Sequence, residues 1–409
     1  MSSGPESPEP TATGAASHQG GLSDMSQQPL RSAPAAIQCR RVMLVIGTRP
    51  EAIKMAGVVS ALRAAGGIDW HLCSTGQHKS MLQDTLADLG IEANSDLHVM
   101  NDAKNLSDIA AIATQRLDGV MEQFQPDWVL VQGDTTTAFA GALAAFHRRI
   151  AVGHVEAGLR TGNRYSPWPE EINRKLVGVI ASRHFVPTTT SRDNLLRENV
   201  PANEIVVTGN TVIDALLAMR ERTRSDAKLK AELEAEFAWR DRSRRMILVT
   251  GHRRESFGDG FRQICEAVAA IADRGDVEIV YPVHLNPNVQ QPVNELLGSN
   301  PRIRLIAPQG YARFVYLMDQ AHILLTDSGG IQEEGPSLGK PVLVMRETSE
   351  RPEAIAAGAA KLVGTNPRSI VGEVTRLLDD PVAYQAMTNK LNPYGDGTAG
   401  RKIIEALRG

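Results

Sequence analysis

The feature that most constrains this chain is an alternation of short, continuously apolar runs with longer stretches of helical pattern. VMLVI (residues 42–46) leads into a helical stretch from Pro50 through about Arg63. DWHLCS, DWVLVQ, RIAVGHV, RHFVPT and EIVVTG continue the series, with the Ala-rich TTTAFAGALAAFHR behind DWVLVQ. A strand that is apolar at every position is buried on both faces. Such strands alternating with helices predict a parallel sheet covered on both sides.

The same grammar restarts after a charged helical segment at residues 211–244, where MILVT, EIVYPV, IRLIAP, HILLTD and PVLVM supply five further strands. Each half opens with a strand running straight into glycine and then basic residues, Gly47-Thr48-Arg49 and Gly251-His252-Arg253. A length of 409 residues suits two cores better than one. The expected fold class is therefore α/β, with two Rossmann-like, doubly wound parallel-sheet domains and a ligand cleft between them. Residues 41–209 with 394–409 are assigned to the N-terminal domain and 210–393 to the C-terminal one. The last helix, residues 398–407, is expected to cross back to the first domain. Residues 1–40, rich in Ser, Pro and Gly without a signal-type apolar run, are expected to be a disordered tail, and Met25 offers an alternative start.

A net charge of −3 argues against general nucleic-acid or membrane-surface binding, and no apolar run approaches bilayer length. A cytoplasmic location is the resulting expectation. The three cysteines are scattered, so neither a disulfide framework nor a metal cage is indicated. The chain has no G-x-G-x-x-G after its first strand, no G-x-x-x-x-G-K-[ST] and no H-E-x-x-H. No bound cofactor and no metal is therefore implied.

Ligands of open parallel sheets bind beyond the carboxyl ends of the strands, where helix N-termini offer free N–H groups to anions. Three segments fit. GTRPEAIK puts Arg49 after the first strand and Lys54 a turn further on; a base in a first turn opposes the helix dipole, so an anionic ligand explains it better than solvation does. GHRRES places His252 in the matching position of the second half, where a structural and a functional histidine are equally good readings. TDSGGIQEE offers Ser328, Gly329 and Gly330 opening a helix, with Glu333 and Glu334 expected in its first turn. Glu334 there either favours the dipole or binds ribose hydroxyls.

Acidic residues gather at the other strand ends. Asp134 follows DWVLV and Glu156 follows RIAVGHV, so both belong on the carboxyl edge of the first sheet. Glu170 and Glu171 come in the next loop, behind Pro167, Trp168 and Pro169. Carboxylates grouped at a dry edge are expected to have raised, coupled proton affinities suited to acid–base work. Asp134 also reads as a helix cap, but a cap does not require Glu156 beside it; Glu171 reads better as a helix-terminus residue than as a catalyst.

GTRPEAIKMA, QGDTTTAFAGALAAF, VGHVEAGLRTG, YSPWPEEINR, ILVTGHRRESFG, LTDSGGIQEE and SERPEA together resemble the non-hydrolysing UDP-N-acetylglucosamine 2-epimerases of bacteria, from about Arg41 to the C-terminus. The resemblance implies a GT-B arrangement, a homodimer, and interconversion of UDP-GlcNAc and UDP-ManNAc without a bound cofactor. It also implies a supply of ManNAc-type precursors for cell-envelope polysaccharides. Matched position by position, Arg49, Lys54, Asp134, Glu156 and His252 line the substrate site, and Glu170 is a catalytic carboxylate. Gln309 and Phe314 hold the uracil end, Ser328, Gly329 and Gly330 the diphosphate, Glu334 the ribose, and Arg351 a further part of the substrate. The segment at 77–81, QHKSM, departs from the family's Q-H-R-E-M at two positions, in a region that borders a regulatory UDP-GlcNAc site in some members. A GT-B glycosyltransferase, a hydrolysing 2-epimerase and a silent nucleotide-sugar sensor are the competing readings.

Overall fold

The computed structural model describes residue 1 and residues 39–76 and 79–409. Most of the expected tail and part of the 77–81 segment lie outside the described residues. The first sheet contains β1 (Arg41–Ile46), β2 (Asp69–Ser74), β3 (Ser95–Asp96), β4 (Trp128–Gln132), β5 (Ala151–Val155), β6 (Arg183–Val186) and β7 (Ile205–Val207). The second contains β8 (Arg245–Thr250), β9 (Val277–Pro282), β10 (Ile303–Ile306), β11 (Ile323–Thr326), β12 (Val342–Val344) and β13 (Ala360–Leu362). Their orders are β3-β2-β1-β4-β5-β6-β7 and β10-β9-β8-β11-β12-β13, and all pairings are parallel. Both sheets thus follow the doubly wound order of dinucleotide-binding folds, growing from the first strand to one side and then to the other.

The uninterrupted apolar runs explain the sheet centres. All five residues of β4 are buried, and Val129, Leu130 and Val131 each contribute about 1.5–3 kcal/mol of burial free energy. The sequence runs missed β3 and β13, two and three residues long at or near the sheet edges. The charged segment 211–244 holds two helices, Thr211–Ser225 and Ala227–Glu236, broken at Asp226, whose carboxylate accepts the amides of Lys228 and Leu229 at 3.1 Å each.

The final helix, Ala399–Arg408, packs on Arg49–Ala65 and Thr211–Ser225. A Cβ on Gly400 would stand 2.4 Å from the carbonyl oxygen of Gly57, so this crossing requires glycine. Asp214 ties the entry down by accepting the amides of Ala399 at 3.2 Å and Gly400 at 2.7 Å. The last helix thus lies against the helix that follows β1.

In each sheet the winding direction reverses between the central pair, β1/β4 and β8/β11. Loops leaving such a pair diverge and open a crevice. Arg49, Asp134, His252 and Ser328 all follow one of these four strands.

Candidate active site

A cavity of about 490 Å³ lies between the two sheets and takes wall residues from both. Arg49 and Lys54 come from the helix after β1; His252 follows β8; Gln309 and Phe314 follow β10; Ser328, Gly330 and Glu334 follow β11; Arg351 comes from the loop after β12. A guanidinium N–H of Arg49 reaches the Gln309 carbonyl at 3.4 Å, across the cleft. Gly329 is the first residue of the helix Gly329–Ser337, and Ser328 its N-cap, with no side-chain bond closing that end. Glu333 and Glu334 belong to the second turn, not the first as expected, because the helix begins at Gly329 itself.

Burial pushes the Glu334 carboxyl up to about 8, with the neighbouring Glu333 adding to the rise and Lys54 and Arg49 opposing it. At neutral pH it therefore carries a proton and offers both a donor and an acceptor. His252 is driven the other way: burial lowers its pKa, Asp327 resists, and His284 and Arg253 add to the fall. Its ring stacks on His284 at 5.1 Å and 10°. A neutral imidazole supplies a hydrogen bond here rather than a fixed charge. Asp327, wholly buried, holds this turn by accepting the amides of His252 at 2.7 Å and Arg253 at 2.8 Å.

Sequence reasoning missed Tyr311 in the wall and Glu51 beneath it. Tyr311 is buried in the cavity wall with a hydroxyl that has no partner among the described residues. Glu51 is buried behind Arg49 and accepts the amides of Gly47 at 3.0 Å and Thr48 at 2.7 Å, and the hydroxyls of Thr48 at 2.8 Å and Thr135 at 2.6 Å. It locks the loops after β1 and β4 together. The T-x-x-E spacing of Thr48 and Glu51, a capping-box pattern, was the available signal.

A second cavity, about 500 Å³, shares Lys54 and Arg351 with the first and is walled by Asp134, Glu156, Arg160 and Arg174 among others. Asp134 and Glu156 leave adjacent strands, β4 and β5. Asp134 accepts two N–H groups of Arg174, that from Nε at 3.1 Å. Capping falls to its neighbour: Thr135 Oγ1 accepts the Ala138 amide at 3.0 Å. Glu156 has φ +64°, a left-handed backbone that a non-glycine residue adopts only where its surroundings compel it. Both its oxygens meet Lys54 Nζ at 2.6 Å, and it also accepts from Gln132 and, at 2.9 Å, from Asn210.

The expectation of raised proton affinities at the first sheet's edge fails for Glu156; the raised carboxyls are Glu333 and Glu334, on the other side of the cleft. Burial pushes Glu156 up, but the charges of Lys54 and Arg351 and the hydrogen bonds from Lys54 and Asn210 outweigh it and hold its pKa below the ordinary value. For Glu333 burial prevails, even with Arg351 and Lys54 beside it. Glu170 opens the helix Glu170–Ile180; it is absent from the cavity wall, and its Oε2 is buried with no partner among the described residues. Glu171 braces the loop, accepting the amides of Thr161 at 3.1 Å and Gly162 at 3.2 Å and an Arg174 N–H at 3.1 Å.

A family profile described as UDP-N-acetylglucosamine 2-epimerase matches residues 60–408. The chain belongs to that family. The UDP-N-acetylglucosamine 2-epimerase of Escherichia coli K12 is 56% identical over 369 residues, 90% of this chain and 98% of that one. The crystal structure of the Neisseria meningitidis UDP-GlcNAc 2-epimerase bound to UDP-GlcNAc superposes with a TM-score of 0.82 at 48% identity, covering 90% of this chain and 99% of that one. The glycosyltransferase SnogD of Streptomyces nogalater aligns over 90% of this chain and all of its own, with a TM-score of 0.56 at 18% identity, a likeness of fold alone. The 2-epimerase family and a glycosyltransferase thus share the GT-B arrangement of two parallel-sheet domains seen here.

Proposed function

We propose that this protein is an isomerase that interconverts UDP-GlcNAc and UDP-ManNAc. The observation that carries the reading is the pair of cavities joined at Lys54 and Arg351: one brings Arg49 and His252 to a helix N-terminus at Ser328, and the other sets the carboxylates Asp134 and Glu156 among Arg160 and Arg174. A nucleoside diphosphate suits the first and a sugar ring the second. The Neisseria relative with UDP-GlcNAc bound supports the same substrate.

The C2–H of the sugar is not next to a carbonyl, so simple enolisation is closed to it. In the route we infer, a base takes the C2 proton, the C2–H electron pair forms the C1=C2 bond, and UDP leaves with the C1–O pair. The intermediate is 2-acetamidoglucal. UDP then re-adds at C1 while a proton reaches C2 from the opposite face, so atoms and electrons balance without an oxidant. Arg49, Lys54 and the N–H groups at Ser328–Gly330 stabilise the charge on the departing diphosphate, with His252 adding a hydrogen bond. Asp134 and Glu170 serve as the acid–base pair, one for each face. The free Oε2 of Glu170 supports its part; Glu156, buried and held ionised by Lys54, Gln132 and Asn210, positions rather than transfers. Gln309 and Phe314 take the uracil, Glu334 the ribose, and Arg351 bridges both cavities.

In this reading residues 41–209 with 394–409 form the catalytic domain and 210–393 the UDP domain. A second UDP-GlcNAc acts as an activator. The enzyme is cytoplasmic and supplies ManNAc donors for cell-envelope polysaccharide; among the described residues no helix is long and apolar enough to cross a membrane. It is a homodimer, supported by the exposed stripe of Ile172, Leu176 and Val179 on one helix with Phe146 on the adjacent one.

Proton NMR with UDP-GlcNAc in heavy water tests the reaction. UDP-ManNAc carrying deuterium at C2, with little free sugar, is expected. Release of UDP and free ManNAc would replace this reading with hydrolysis, and unchanged, undeuterated substrate would refute it. Asp134→Asn and Glu170→Gln should abolish exchange yet leave UDP affinity within a few-fold; a large loss of UDP binding would show these residues to be ligand-holding instead.

A further inference from the structure

The chain passes between the two sheets at residues 208–211 and returns at 389–398, and these crossings touch. The backbone N–H of Asn210 donates to the Tyr394 carbonyl at 2.7 Å. Gly209, at φ +89°, lies so close that a Cβ would stand 3.0 Å from that same oxygen. The two connections therefore meet at one point, and Asn210 occupies it, buried to 2% exposure.

From that point its side chain reaches both halves. Nδ2 donates to Glu156 Oε1 at 2.9 Å and to Glu333 Oε2 at 3.0 Å, one carboxylate from each side of the cleft. Oδ1 accepts the Val212 amide at 3.2 Å at the start of the helix Thr211–Ser225. Every polar group of the residue is thus used. Turning the amide over would set Oδ1 against two carboxylates, so the orientation is determined. Beyond the carboxylates stand the two cations common to both cavities: Lys54 on Glu156 at 2.6 Å, and Arg351 on Glu333. The chain of contacts is Lys54–Glu156–Asn210–Glu333–Arg351, alternating in charge about a neutral donor.

We propose that Asn210 is a positioning residue: its single NH₂ ties one carboxylate of each domain to the interdomain crossing and so sets the spacing at which Lys54 and Arg351 face the substrate. Only a neutral group with two N–H donors and an acceptor fits. A cation would compete with Lys54 and Arg351 for the same carboxylates, and an acid would gather three carboxylates in a buried space. Because the bond to Glu156 and the bond to Glu333 share one nitrogen, opening the cleft must break one of them. The spacing of the domains and the orientation of the cations therefore change together.

For its kinetic readout the inference rests on the epimerase reading. The test compares wild type with Asn210→Ala and the near-isosteric Asn210→Asp. UDP-GlcNAc turnover is followed from pH 5.5 to 9, and urea unfolding midpoints at the same values. Losing hydrogen bonds to two charged acceptors should lower kcat of Asn210→Ala by about 10–100-fold, with KM within about threefold. Asn210→Asp should be as impaired at pH 9 and recover relative to wild type as pH falls. Glu156 and Glu333 crowd the introduced carboxyl, which regains a proton and with it a donor; Lys54 and Arg351 face the carboxylates on the far sides. A kcat of Asn210→Ala within twofold of wild type overturns the proposal, and so does an Asn210→Asp profile parallel to wild type. If Asn210→Ala does not fold, Asn210→Asp carries the test. If wild type itself turns over no UDP-GlcNAc, the epimerase reading fails. Asn210 is then judged on unfolding alone, where Asn210→Asp must regain stability relative to wild type towards low pH or the proposal falls.

Discussion

Replacing Lys54 by methionine isolates the ion pair at the junction of the two cavities. Lys54 and Glu156 are largely buried, with side-chain exposures of 18% and 5%, and meet at 2.6 Å. Methionine keeps the stem and removes the charge, leaving Glu156 buried with the donors Asn210 and Gln132 and the more distant charge of Arg351. Breaking one side of a buried pair costs about 3–5 kcal/mol. The remaining donors favour the lower end, so about 3 kcal/mol is expected near pH 7.5, roughly a hundredfold in the unfolding equilibrium. In wild type the Glu156 pKa lies below its ordinary 4.5, so its stabilisation is present above that value and lost as pH falls through the folded pKa. In the variant burial dominates and raises that pKa. The penalty should then shrink as pH falls from 7.5 towards 5, because the orphaned carboxylate takes a proton. Urea unfolding of wild type, Lys54→Met and Lys54→Met/Glu156→Gln at both pH values measures this. The double variant should return to within about 1 kcal/mol of wild type, since removing both charges also removes the unpaired one. A penalty that does not change with pH, or a double variant no more stable than the single, would refute the reasoning.

Glu334 should make its own pH signature. Its folded pKa is raised to about 8 from an ordinary 4.5, so the folded state holds a proton the unfolded chain has lost and stability declines as pH rises between those values. Glu334→Gln should flatten that decline in pH-dependent melts and weaken UDP binding; an unchanged slope would show the carboxyl to be ionised throughout. Gly400→Ala puts a Cβ 2.4 Å from the Gly57 carbonyl oxygen and should cost about 1–3 kcal/mol in urea unfolding; an unaltered midpoint would mean that the helix crossing gives way freely. Val179, at 86% exposure, lies at the far end of the apolar stripe. Val179→Asp should convert a dimer to a monomer in analytical ultracentrifugation, and an unchanged dimer would place the interface elsewhere.

Much of this protein is legible one residue at a time, because the physics involved is local. Continuous apolar runs report burial on both faces, and their alternation with helical stretches dictates parallel sheets. A strand's end dictates where its next residue sits, so the strand pattern alone puts Arg49, Asp134, Glu156, His252 and Ser328 at the cleft edge. What local pattern cannot carry is partnership. Lys54 and Glu156 are 102 residues apart, Asp134 and Arg174 40, and Asn210 and Glu333 123. Which carboxylate is held ionised and which keeps its proton depends on the sum of burial and neighbouring charge. Glu156 and Glu333 are both buried glutamates, each with a cation in direct contact, yet they shift in opposite directions because the cations and donors on Glu156 outweigh its burial, whereas the charge of Glu156 adds to burial at Glu333. Locally Asn210 does no more than cap the helix Thr211–Ser225, accepting the Val212 amide. Only when the two crossings meet does its amide come to lie between two carboxylates from opposite sides of the cleft.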